Sequence, residues 1–287
     1  MNDLLSPDES VRFLQPRLCH QLRRIVPVLG IGADGRVTAK GTAALVRFHG
    51  YHLVVTARHV IQHLRDAGSP PMTAILPFEP DETPVRVPSA VAAQPITLEP
   101  ALVDVPELDV CVFRAPATIT SEDGLDWYNG DEGAYVAGRE SRTDWIAIRD
   151  DPAAIPFVIA GFGNLAHFTL EAERLELLGA TPLLCQAVSW DPPSHSRPQI
   201  TLVPDVNGPT IEGLTPLERA IAANLDTRTA RGGEVVGGYS GGPAAIVGRD
   251  GEFLVGIVYE GGLLGDRIVV YARPWDRIAQ AVARVLP

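Results

Sequence analysis

Apolar positions recur every three or four residues at the two ends of the chain, whereas most of what lies between breaks into short apolar runs separated by turn-forming residues. Ser6-Pro7-Asp8-Glu9 is a capping-box pattern with proline at the first helical position. Val11, Leu14, Leu18 and Leu22 follow on one face, so residues 1–23 predict a leading helical segment, shortened by Pro16. Ile278, Val282 and Val285 share a face in the same way and predict a closing helix over 274–287.

From residue 24 the period changes. Apolar stretches at 25–31, 42–48 and 53–56, punctuated by Ala33-Asp34-Gly35 and His49-Gly50, predict a β-meander. Further strands are expected at 73–76, 84–87, 95–98 and 109–114, closing a first small antiparallel barrel over 24–115. Residues 116–154 are polar and acidic and predict a linker or insertion, with Trp127 and Trp145 packing part of it down. Strands at 157–160, 183–190, 199–203, 244–247 and 253–259 predict a second barrel over 155–273, and Thr215-Pro216-Leu217-Glu218 caps a short helix among them. The expected class is all-β, two barrels flanked by a helix at each end.

Composition agrees: 25 prolines and 27 glycines are spread along the whole length, as many short elements require, and 46% hydrophobic residues suffice for a sizeable core. The net charge of −11 argues against nucleic acid, whose phosphates need clustered Lys and Arg. Cys19, Cys111 and Cys185 are an odd set without CxxC spacing, neither a disulfide framework nor a zinc signature, and read as buried thiols. The acidic stretch between Glu122 and Asp151 lacks EF-hand spacing and reads as solvated surface. With no basic-then-apolar leader and no apolar run of spanning length, the expectation is a cytoplasmic protein without membrane association, metal or cofactor.

Chemistry concentrates in Gly238-Tyr239-Ser240-Gly241-Gly242-Pro243, a glycine-rich turn that exposes a serine hydroxyl and can aim neighbouring N–H groups at one point. The string also satisfies Gly-x-Ser-x-Gly, the nucleophile elbow of α/β-hydrolases, but that fold has its histidine after the serine. All seven histidines here (His20, His49, His52, His59, His63, His167, His195) precede Ser240. The order His, Asp, Ser remains, and it demands a histidine at a strand end and an aspartate further on.

Val54-Val55-Thr56-Ala57-Arg58-His59 runs an apolar strand into Thr-Ala-x-His, Gly41-Thr42-Ala43-Ala44-Leu45-Val46 precedes it, and Leu108-Asp109-Val110-Cys111-Val112 sets an aspartate at the mouth of another strand. In these three segments and the serine turn, over roughly residues 24–272, the chain resembles the trypsin-like serine peptidases of the chymotrypsin fold. The resemblance implies two six-stranded Greek-key barrels and a His59-Asp109-Ser240 triad. It further implies an oxyanion hole from the N–H groups of Gly238 and Ser240, and substrate backbone pairing along Tyr259 and Gly261. Glu234, six residues before the serine, is the position of a specificity-pocket base and implies cleavage after basic side chains; a solvated loop carboxylate is the competing reading.

Tyr239 stands where zymogen-type members have an aspartate that pairs with a new N-terminus, so the chain is closer to intracellular, HtrA-like relatives, formed constitutively or controlled by loop order or a partner. The expected activity is peptide-bond hydrolysis through an acyl-enzyme, on a protein or peptide substrate. The alternative is a gated or inactive module of the same fold acting by protein binding, and an esterase is a third reading.

Overall fold

The computed structural model describes residues 20–32, 37–75, 95–98, 100–120, 124–132, 157–171, 174–191, 196–204, 238–248, 251–264 and 267–287. Residues 20–23 are helical and lead into β1 (Ile25–Ile31), β2 (Val37–Phe48) and β3 (Tyr51–Ala57), after which α1 (Arg58–Asp66) turns the chain back. β4 (Met72–Ala74), β5 (Pro95–Thr97), β6 (Ala101–Val105), a 3₁₀ turn (Pro106–Leu108) and β7 (Val110–Arg114) complete the first sheet's main path. A short helix α2 (Ala117–Thr120) and β8 (Tyr128–Asn129) follow. The second sheet contains β9 (Phe157–Glu171), β10 (Arg174–Trp190), β11 (Ile200–Pro204), β12 (Pro243–Gly248), β13 (Gly251–Leu264) and β14 (Arg267–Pro274), and α3 (Trp275–Ala283) ends the chain.

The first sheet is ordered β5-β4-β1-β2-β3-β7-β6, and the second is a closed six-stranded barrel, β10-β11-β14-β13-β12-β9. In each, three meandering strands are joined by a fourth that returns beside the first, β4-β1-β2-β3 and β12-β9-β10-β11, which is the Greek-key order. Among the described residues the first sheet holds eight strands where six were expected. β4 and β5 pair successively beyond β1, and β8 pairs parallel to β2 at Val46 and Arg47, just past Ala44, the partner of the first residue of β1.

The β2–β3 hairpin turns on His49 (φ 48°) and Gly50 (φ 79°), the two positive φ values of a type I′ turn, whose twist matches the strands it joins. β3 reads as an unbroken apolar run because both its faces are covered. Val54 and Ala57 pack with Val26, Leu45, Val60 and Leu64, while Leu53 and Val55 face Ala245, Leu254, Ile257 and the Trp275 and Ile278 side chains of α3. One apolar cluster therefore spans both sheets and the closing helix, and Trp275, buried, donates its Nε1–H to the Gly130 carbonyl at 2.8 Å.

The predicted strands at 25–31, 42–48, 53–56, 73–76, 95–98 and 109–114 fall on β1, β2, β3, β4, β5 and β7, and those of the second series on β9 to β13. β6, β14 and α1 had not been expected. The strand at 84–87, the helix capped at Thr215, most of the leading helix, Cys19 and Trp145 lie outside the described residues. Cys111 and Cys185 are buried; burial first, then the Asp104 charge, pushes the Cys111 thiol up to about 12. Among the described residues no helix is long and apolar enough to cross a membrane, and no group of His, Cys, Asp and Glu side chains is arranged to hold a metal ion.

Candidate active site

The N-cap of α1 is Ala57, which has no side chain able to cap the free N–H groups of the first turn. The cap arrives from 50 residues away. Asp109 ends the 3₁₀ turn in the left-handed conformation (φ 52°, ψ 44°), tolerated better by Asp than by most side chains. Its carbonyl accepts from Arg58 N–H at 2.9 Å, and its Oδ1 accepts from His59 N–H at 2.9 Å. Its Oδ2 lies 2.6 Å from His59 Nδ1. The contact that starts the helix thus also orients the imidazole through its Nδ1, leaving Nε2 for other partners. Both side chains are partly exposed, 36% and 26%.

Ser240 comes from the second sheet, in a turn between Gly238 and β12. Gly238 (φ 90°) and Gly241 (φ 91°) adopt backbone conformations that side chains resist. A Cβ on Gly241 would lie 1.9 Å from the Thr42 carbonyl oxygen and 2.2 Å from Thr56 Oγ1, so the turn presses directly on the first sheet. Gly241 N–H donates to Val258 O (2.7 Å) and Val258 N–H to Gly242 O (2.8 Å), which fasten the turn to β13, while Gly242 N–H donates to Tyr239 O (2.8 Å) within the turn.

The register of β13 against β14 slips between Val258 and Glu260, leaving Tyr259 as the extra residue of a bulge. The Tyr259 carbonyl is thereby freed to accept from Ser240 Oγ at 3.4 Å. Its phenol donates to Gln199 Oε1 (2.8 Å), and the Arg273 guanidinium lies 3.8 Å from the ring centroid; burial first raises the phenol pKa against the lowering effect of Arg273.

The structure brings His59 and Asp109 into contact and presents Ser240 across the seam, with Gly238 in the same turn. Tyr259 stands beside the serine through its backbone. Gly261 pairs with Val270 of β14, and among the described residues no strand pairs with the other edge of β13 beyond Tyr259. Glu234 lies outside the described residues.

Thr42 is the residue that sequence reasoning missed. A polar residue inside the apolar stretch 42–48 was visible, but what it bonds was not. Thr42 N–H donates to Ser240 O (2.9 Å), its Oγ1 donates to Gly238 O (2.7 Å) and accepts from Phe162 N–H (3.0 Å), and its carbonyl accepts from Thr56 Oγ1 (2.6 Å).

No protein-family model matches this chain, and no curated protein does. Among solved structures it is similar to the Rv3671c protease from M. tuberculosis in its active form, at 14% sequence identity and a TM-score of 0.50, over 98% of this chain and 88% of that one. Two curled antiparallel sheets in Greek-key order, few helices and this end-to-end likeness give the chain the chymotrypsin-like double-barrel fold.

Proposed function

We propose that the chain is a serine endopeptidase that hydrolyses peptide bonds through an acyl-enzyme. The observation that carries this reading is the His59–Asp109 pair, bonded through both the imidazole Nδ1 and the backbone N–H, together with a serine whose glycine-rich turn from the other barrel is hydrogen-bonded to Thr42 of the first sheet. Ser240 Oγ attacks the scissile carbonyl while His59 Nε2 takes its proton. The imidazolium, stabilised by Asp109, then gives that proton to the leaving amine, and water repeats the sequence on the ester. The N–H groups of Gly238 and Ser240 hold the oxyanion, each donor contributing about 3 kcal/mol to the transition state. Substrate backbone adds as a strand on the open edge of β13 at Tyr259 and Gly261. Glu234 selects basic side chains in this scheme, and a peptide-library profile without preference for Arg or Lys removes it.

A fluorophosphonate probe tests the reading. Labelling at Ser240 in the wild type, abolished in Ser240→Ala together with cleavage of a denatured protein substrate, is the expected outcome; matching peptide maps from the two proteins would sink it. One observation favours a second reading, a gated module: the Ser240 hydroxyl donates to the Tyr259 carbonyl at 3.4 Å. Labelling that appears only with an added protein or peptide supports gating.

A further inference from the structure

We propose that Thr42 is a positioning residue for the nucleophile: its hydroxyl, from the first barrel, holds the Gly238–Tyr239 peptide plane that leads into Ser240 in the second, while its backbone N–H holds the plane that follows. The inference rests on the peptidase reading above and adds to it a residue outside the triad and the oxyanion donors.

A peptide unit is planar, so fixing its carbonyl fixes the N–H at its other end. Three carbonyls matter here, those of Gly238, Tyr239 and Ser240, on the three peptide units between Gly238 and Gly241. Gly238 O is held by Thr42 Oγ1, Tyr239 O by Gly242 N–H and Ser240 O by Thr42 N–H; the N–H of Gly241, on that last unit, is held by Val258 O. The Ser240 N–H is thus aimed by the Tyr239 carbonyl, and the units on either side of that one are both held by Thr42.

Of these bonds, the Thr42 hydroxyl supplies the one made by a side chain. It is directed from both sides, since accepting the Phe162 N–H leaves its own hydrogen for Gly238 O. Thr42 is fully buried, so water cannot take over these bonds. Gly161 clears the space: a Cβ there would lie 2.8 Å from Tyr239 Cδ1 and 3.0 Å from Thr42 Oγ1. Without the hydroxyl, Gly238, a residue free to occupy many backbone conformations, loses the bond that selects one of them. Aim at the oxyanion degrades, while strand β2 and its neighbours keep their own ladder.

The test compares wild type, Thr42→Val and Thr42→Ser in fluorophosphonate labelling, in kcat and KM on a peptide substrate, and in amide hydrogen exchange over residues 238–242. Thr42→Val is expected to lower kcat and the labelling rate at least tenfold with KM within about twofold, and to speed exchange over 238–242 alone. Thr42→Ser, which keeps the hydroxyl, is expected to recover most of both. A merely structural role would move the melting temperature and leave the kcat-to-KM split untouched. Wild-type labelling, kcat and exchange in Thr42→Val overturn the proposal while leaving the peptidase reading intact. A wild type inert to the probe overturns the peptidase reading, and exchange over 238–242 still decides whether Thr42 orders the serine turn. Should Thr42→Val fail to fold, Thr42→Ala takes its place with the same expected and overturning results.

Discussion

Asp109 serves two structures with one carboxylate, and the two uses can be separated by substitution. Asparagine keeps an oxygen for the His59 N–H and ranks with aspartate as a helix cap, so α1 should remain. Its Nδ2, however, donates to His59 Nδ1 and forces the imidazole hydrogen onto Nε2, the atom that must accept the serine proton. Asp109→Asn should therefore lower kcat by about 10⁴-fold with a melting temperature close to wild type. Asp109→Ala should lose activity similarly and also about 1 kcal/mol of stability with the cap. Paired activity and denaturation measurements check both. The sequence announced Asp109 through the apolar strand that follows it, but its left-handed backbone and its capping of a distant helix depend on the β6–β7 connection meeting Ala57. No local pattern encodes that meeting.

At the level of elements, legibility followed how local each signal is. The β2–β3 hairpin was readable because His49-Gly50 lies between two apolar runs and both residues take positive φ. Space around Gly50 is open, so substitution there measures conformational strain alone. Gly50→Ala should cost about 1 kcal/mol and Gly50→Asn less, read as a shift in urea midpoint at constant slope. α1 escaped prediction for the opposite reason. Its buried residues Val60, Ile61 and Leu64 follow directly on the apolar run of β3, and its cap comes from another part of the chain. β6 and β14 gain their identity from partners, β7 for the first and both β11 and β13 for the second, more than from their own residues.

Across the whole molecule the two barrels are joined by more than the serine turn. Arg24, just before β1, pairs with Glu252 of β13 at 2.6 Å and with Asp126 at 2.7 Å, and its guanidinium lies 4.9 Å from the Tyr128 ring centroid. Gln21 donates to Glu252 at 2.9 Å and accepts from the Tyr128 hydroxyl. Burial opposes the Arg24 charge, yet Tyr128, Asp126 and Glu252 together raise its pKa. The Glu252 side chain is 4% exposed, so Glu252→Ala should take one of two carboxylates from the Arg24 guanidinium, leave Asp126 as its remaining ion-pair partner and cost about 1.5–3 kcal/mol. None of this was legible in the sequence, because Arg24 and Glu252 are 228 positions apart.

The two buried thiols turn that joint into something that can be timed. Cys111 lies on β7 opposite Thr56, in the strand pair that carries His59 and Asp109, and Cys185 lies on β10 in the other barrel. With its thiol near 12, Cys111 reacts with iodoacetamide only when its barrel opens, and Cys185 acts as the second clock. If the seam makes the barrels a single cooperative unit, mass spectrometry at neutral pH should find the two sites alkylated at one common rate in the wild type. In Glu252→Ala the clocks should fall out of step, one barrel opening more often than the other. Equal rates in both proteins would mean that the apolar cluster alone holds the halves together.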